Sequence, residues 1–231
     1  MAATPGIRPV GNLPDATDET AVSRDGSVAI RVGWYLMVTL ALSVSAYASM
    51  ALWNPNAIDF IANREGALRS ALIIHGAVGA LALALGPFQF VEKLRRTRPQ
   101  FHRVSGRIYL TCILISGVSG LWLAFYTPGG LPATSGFFVL AVLWLLTGSL
   151  ALRAVLKRDY AAHRAWMMRS YALTFGAVTL RIYLGLGVPI AGLPFDQVYG
   201  MAAWANWAIN LLFVEWLLLS RSTRSADLAS K

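Results

Sequence analysis

Six apolar stretches decide the class of this chain before any other feature does: approximately Val32–Leu52, Leu68–Phe90, Arg107–Tyr126, Ser135–Leu152, Met167–Leu186 and Met201–Leu219. Each reaches or approaches the ~20 residues that carry an α-helix across a ~30 Å hydrocarbon layer. Strands of a membrane barrel would alternate polar and apolar residues over segments of ~10 residues, and no such alternation is present. Composition agrees, since 56% of residues are hydrophobic and only 13% charged, where soluble domains carry roughly 25% charged. The expected fold is all-α: an integral membrane bundle of six transmembrane helices, with helices 2–5 as a four-helix core over residues 68–190. Helices 1 and 6 are expected to flank that core, completing a transmembrane domain over residues 29–220.

The net charge of +9 would suit a nucleic-acid partner only if the basic residues formed a soluble patch. Placed on the topology, they do not. Lys93, Arg95, Arg96, Arg98, Arg103 and Arg107 fall between helices 2 and 3, and Arg153, Lys157, Arg158, Arg164 and Arg169 between helices 4 and 5. With Arg8, Arg24, Arg31, Arg221, Arg224 and Lys231 from the two ends, seventeen of the twenty basic residues fall on one side. Arg64 and Arg69 fall on the other. The positive-inside rule then predicts a multi-pass protein of the cell (inner) membrane with both termini cytoplasmic, and it explains the basic balance without nucleic acid. Short basic loops beside the cytoplasmic leaflet attract anionic lipid, so lipid headgroups are the expected partners, along with a protein partner or a second copy of the chain.

Residues 1–28 hold acidic residues and prolines but no apolar run, which reads as a disordered cytoplasmic tail rather than a secretory signal; residues 221–231 read as a second tail. The lone Cys112 lies in an apolar helix and excludes an internal disulfide. Trp34, Tyr35, Trp53, Tyr109, Tyr126, Tyr199 and Trp204 fall near predicted boundaries, where amphipathic rings anchor at headgroup depth. The connections on the less basic side are longer or rich in Gly and Pro: Asn54-Pro55-Asn56 to about Ala67, Thr127 to Pro132, and Val188-Pro189 through Gly200. They have the character of lids.

A weak repeat runs through the chain. His102-Arg103-Val104-Ser105-Gly106-Arg107-Ile108-Tyr109 leads into helix 3, and His163-Arg164-Ala165-Trp166-Met167-Met168-Arg169-Ser170-Tyr171 leads into helix 5. Each holds a His-Arg pair, then an Arg, then a Tyr two residues on, as expected of two hairpins related by an axis along the membrane normal. With His75, Leu85-Gly86-Pro87-Phe88-Gln89-Phe90 and Thr179-Leu180-Arg181-Ile182-Tyr183, these motifs make the chain resemble a bacterial and fungal family of predicted membrane proteins, domain of unknown function 2306. The resemblance covers about residues 70–215 and implies a membrane domain of four to seven helices. It brings with it no activity and no cofactor.

Depth sorts the residues that could carry chemistry. His75 lies seven residues into helix 2, roughly 10 Å below the outer surface. Arg181 has climbed helix 5 to about 9 Å below the same surface, and on helix 6 Asn206 and Asn210 lie about 8 Å and 14 Å down, on one face. His75, Arg181 and Asn206 therefore share a level in the outer third. An arginine at such depth is costly and generally faces a partner or water. Glu215 is about 15 Å away along the axis and is better placed to clamp Arg103, Arg107, Arg164 or Arg169. Arg181 is left with His75, Asn206, backbone carbonyls, Asp196 or Asp59 from the loops, or an anion. One reading is an outer-facing polar pocket, His75, Arg181, Asn206 and Asn210 being its candidate ligand-binding residues; the other is a hydrogen-bond network that only packs helices.

The cytoplasmic motif, His102, Arg103, Arg107, His163, Arg164 and Arg169, is the second candidate. Neutral imidazole can ligate iron, so haem b held by His102 and His163, or a five-coordinate haem on His75, is the cofactor alternative. The plainer role is capping helix ends and binding lipid headgroups. No glycine-rich dinucleotide loop is present, and Ser116, Ser119, Thr147 and Ser149 are expected to bond backbone carbonyls rather than act as nucleophiles. Two functions stay open: a small redox or cofactor-binding membrane protein, and a non-redox carrier or assembly partner that takes an anionic or quinone-like molecule.

Overall fold

A computed structural model of the chain describes residues 16–54, 61 and 63–229. Among them the regular elements are all helical: α1 (Ala16–Trp53), α2 (Gly66–Gln89), the short α3 (Glu92–Thr97), α4 (Pro99–Leu123), a 3-10 turn (Ala124–Tyr126), α5 (Gly130–Leu156), α6 (Tyr160–Ala191) and α7 (Phe195–Ala229). Six stretches are long and apolar enough to cross a membrane: Arg31–Met50, Gly66–Gln89, Pro99–Tyr126, Gly130–Leu156, Tyr160–Ile190 and Phe195–Ser220. Lipid offers no partner to a backbone amide, so a segment that enters it has to satisfy its own N–H and C=O groups as a helix does.

The helices outrun the apolar stretches that mark them. α4 starts at Pro99 in its first turn, where the missing N–H of proline costs nothing, and this takes in His102, Arg103 and Arg107. α6 starts at Tyr160, behind an Asp159 cap whose Oδ1 accepts the Ala162 N–H at 2.9 Å. It then runs through Val188-Pro189, expected to lie in a loop, and stops at Gly192, whose φ of +62° is the left-handed conformation that closes helices. The backbone is also helical from Ala16 and as far as Ala229. Residues 1–15 lie outside the described residues.

The chain divides into two compact units, one up to Thr39 and one from Leu40 on. In the first, the rings of Trp34 and Tyr35 meet edge to face with centroids 5.3 Å apart. The second holds the bundle. There α2 packs along α4, α4 along α5, α5 along α6 and α7, and α6 along α7, while α2 and α6 meet over a shorter length. The last helix is therefore not a flank. It buries Ala202, Ala203, Asn206 and Trp207, because small residues let it come close: a Cβ on Gly136 of α5 would stand 2.9 Å from the carbonyl carbon of Ala203. Small residues play this part in membrane interfaces, where packing rather than water drives association. Gly86 of α2 is a second such site, since a Cβ there would clash with Cδ2 and Cε2 at the edge of the Tyr171 ring on α6.

One of the expected interfacial anchors is displaced. Tyr109 is fully buried, its hydroxyl 3.0 Å from Thr174 Oγ1 and 3.2 Å from Ser170 Oγ. Thr174 also accepts the indole N–H of Trp144 at 2.9 Å and donates to the Ser170 carbonyl. The reason is the early start of α4: Tyr109 lies ten residues past Pro99, well inside the helix. Nearby, Gln89 Nε2 donates to Ser105 Oγ at 2.8 Å, both residues buried.

Candidate functional site

Between α2, α4, α5, α6 and α7, where α2 and α6 part, the bundle encloses a cavity of about 720 Å³, within the range that holds small molecules. Its walls are mainly apolar, with Leu83, Leu140, Leu173 and Leu180 among them and the small residues Gly76, Gly79, Gly120 and Gly176 between. Tyr47, Tyr126, Phe137, Phe195 and Tyr199 add aromatic surface. Three residues at one predicted depth, His75, Arg181 and Asn206, line it together. Asn210 does not; its amide donates to the Ala172 carbonyl and to Thr179 Oγ1, each at 3.2 Å, and so ties α7 to α6.

His75 is held from one side. Its Nδ1 lies 2.8 Å from the Ser116 carbonyl oxygen, an atom that can only accept, so Nδ1 carries a proton. Ser116 Oγ returns a hydrogen bond to the His75 carbonyl at 3.0 Å. α2 and α4 are thus joined by a reciprocal pair, and Gly120 makes room for the imidazole, with a Cβ there 3.1 Å from Cε1. In neutral imidazole a proton on Nδ1 leaves Nε2 as an acceptor. Ser116 and Ser119 do bond backbone carbonyls, Ser119 that of Ile115 at 2.9 Å, yet the partner of Ser116 is on another helix and orients a cavity residue. Residue spacing carries no sign of that pairing.

Arg181 uses one of its donors within its own helix, Nη1 to the Ala177 carbonyl at 2.7 Å. Its guanidinium carbon stands 5.9 Å from the centre of the Tyr47 ring, the geometry of a cation over an aromatic face. No carboxylate meets it among the described residues. Asp196 lies outside the cavity lining, and Asp59 falls outside the described residues. Arg64 is the other cationic residue in the wall, and no acidic side chain is among the lining residues.

Asn206, only 1% exposed, spends its amide N–H groups on the Ala202 and Ala203 carbonyls at 2.6 and 2.9 Å. Its Oδ1 rests over Gly176, buried and without a donor. Thr179 Oγ1 bonds the Asn206 carbonyl at 2.7 Å. Asn206 belongs to the cavity wall, but its polar atoms are turned into the α6 to α7 contact. Tyr199, read from sequence as an anchor, lines the cavity instead, its hydroxyl accepting from Thr127 Oγ1 at 3.3 Å.

The histidine-arginine motif lies apart from this site. Neither His102 nor His163 lines the cavity. His163 Nδ1 donates to the Ala151 carbonyl at 2.9 Å, and His102 Nδ1 is buried without a partner. Arg103, Arg107 and Arg164 are exposed. Arg169 is paired with Glu215 through Nε at 2.5 Å and Nη2 at 2.7 Å, and it covers the ring of Trp166 at 4.6 Å. No group of three or more His, Cys, Asp or Glu side chains that could hold a metal ion occurs among the described residues. Cys112 is a buried free thiol.

Residues 72–218 match the model of a family described as predicted membrane protein, DUF2306. No curated protein and no solved structure matches the chain.

Proposed function

Since the chain belongs to the DUF2306 family of membrane proteins, whose description carries no activity, we propose a function from the cavity itself: a non-redox binding protein or carrier for an amphipathic anion. The observation that carries the reading is Arg181, a cation in the wall of a mainly apolar 720 Å³ chamber with no carboxylate paired to it among the described residues. A guanidinium in a low-dielectric setting attracts an anion strongly, and its planar fork matches a carboxylate. Apolar and aromatic walls supply the contact for the rest of such a molecule.

The distribution of basic residues supports an orientation with both termini in the cytoplasm and the cavity near the outer face of the cell membrane. Exposed Arg103, Arg107 and Arg164 then meet anionic headgroups of the inner leaflet. A bis-histidine haem finds no second ligand in the cavity, where His75 is the one histidine of the lining.

Parinaric acid, a fluorescent long-chain carboxylate, provides the test. Trp144 lines the cavity, so a bound acid quenches tryptophan emission by energy transfer. Saturable transfer in the wild type, lost in Arg181→Leu with no loss of thermal stability, supports the reading. Equal transfer in the two proteins would overturn it, and so would haem bands in a reduced-minus-oxidised spectrum of the purified protein.

A further inference from the structure

The hydrogen-bonding state of the cavity wall specifies the head of the ligand more narrowly. Arg181 offers donors: with Nη1 given to Ala177, Nε and Nη2 have no protein acceptor among the hydrogen bonds of the described residues. His75 offers the reverse. Its Nδ1 proton is committed to the Ser116 carbonyl, so the ring nitrogen left for the cavity is Nε2, an acceptor. The two residues belong to facing helices, line one chamber, and lie within electrostatic range of each other.

A plain carboxylate satisfies the guanidinium but only accepts, and it would leave the imidazole lone pair desolvated and unpaired. A buried acceptor left unmet costs more than a hydrogen bond gains. We propose that the ligand is an apolar-tailed hydroxy acid, its carboxylate held by Arg181 and a hydroxyl near that carboxylate donating to His75 Nε2. His75 is then the specificity-determining residue of the site, and Ser116 is the positioning residue that fixes its tautomer. Gly76, Gly79 and Gly120 in the lining, the last of them beside the imidazole, leave space for a head bulkier than a simple fatty acid. This inference rests on the anion-binding reading above.

Three acids separate the possibilities: hexadecanoate, 2-hydroxyhexadecanoate and 2-methoxyhexadecanoate, each competing with parinaric acid on the full chain in detergent. The methoxy acid matches the hydroxy acid in position of the oxygen but cannot donate. The expected result is preference for the hydroxy acid over the other two on the order of tenfold, the worth of one neutral hydrogen bond in a desolvated site. His75→Asn should bring the ratio of hydroxy-acid to hexadecanoate affinity down to about one, because an asparagine amide can still donate to the Ser116 carbonyl yet presents nothing at the Nε2 position. His75→Leu, which drops that tether as well, reports the cost of the tether through thermal unfolding. Equal binding of the three acids, or equal binding of the hydroxy and methoxy acids, overturns the head-group assignment and leaves the anion site standing. Failure of all three to displace parinaric acid, or no saturable parinaric acid signal at all, overturns both.

Discussion

Two regions of the bundle handle their polar side chains in opposite ways. Around Tyr109 and Arg169 almost every polar atom has its complement: Trp144, Tyr109 and Ser170 converge on Thr174, and Arg169 meets Glu215 through two nitrogens. Around Arg181 the guanidinium meets one backbone carbonyl and an aromatic ring, and Nε2 of His75 takes part in none of the hydrogen bonds of the described residues. The first arrangement fixes helices. The second is completed only by something that enters, so incomplete pairing beside a cavity separates a site from a packing network where polarity alone does not.

Four substitutions can break or sharpen that contrast. Gly86→Val, in the closed region, drives side-chain atoms into the Tyr171 ring and is expected to cost about 3 kcal/mol, the upper range for overpacking, read as a lower thermal midpoint in detergent. Glu215→Leu strands Arg169. A fully buried pair would lose more, but these side chains are 22% and 37% exposed, so a loss of about 2 kcal/mol is expected. The double variant with Arg169→Leu should recover most of it, and no recovery would mean that the charge itself is not the cause. Thr174→Val removes the acceptor shared by Trp144 and Tyr109 and should cost about 1–2 kcal/mol, with a shift in the Trp144 emission contribution. Arg181→Leu is expected to lose nothing in stability and to gain up to ~2 kcal/mol, since it removes a charge from a lipid-embedded segment. A clear loss there would place Arg181 in the same class as Arg169.

Much of the fold was legible because hydropathy has one dominant cause in lipid. Six apolar stretches gave six spans, and counting rise per residue brought His75, Arg181 and Asn206 to one level without any contact information. Helix ends were less legible. Hydropathy marks where the apolar layer stops, whereas Arg103, Arg107 and Arg164 are good helix formers that carry α4 and α6 onward. Tyr109 was assigned to the interface for that reason. A better signal lay in the repeat, whose two tyrosines are both buried: Tyr109 on Thr174, and Tyr171 donating to the Leu83 carbonyl at 3.3 Å. The role of Ser116 left no trace in the sequence, because serine in an apolar helix most often bonds its own backbone. Hydropathy marks helix 6 as a span and does not rank it as core or flank. The packing of Ala203 against Gly136 depends on residue size rather than polarity.

The ring of Tyr171 resting in the notch of Gly86 has a mechanical consequence. It pins α6 to α2 at one point, with its hydroxyl bonded to Leu83, a residue of the cavity wall. Those two helices cannot slide or roll past each other there without dislodging an aromatic ring. Any widening of the chamber between them must therefore come from divergence of their far ends, where Arg181 and the start of α2 stand. The tyrosine is the fulcrum of that motion.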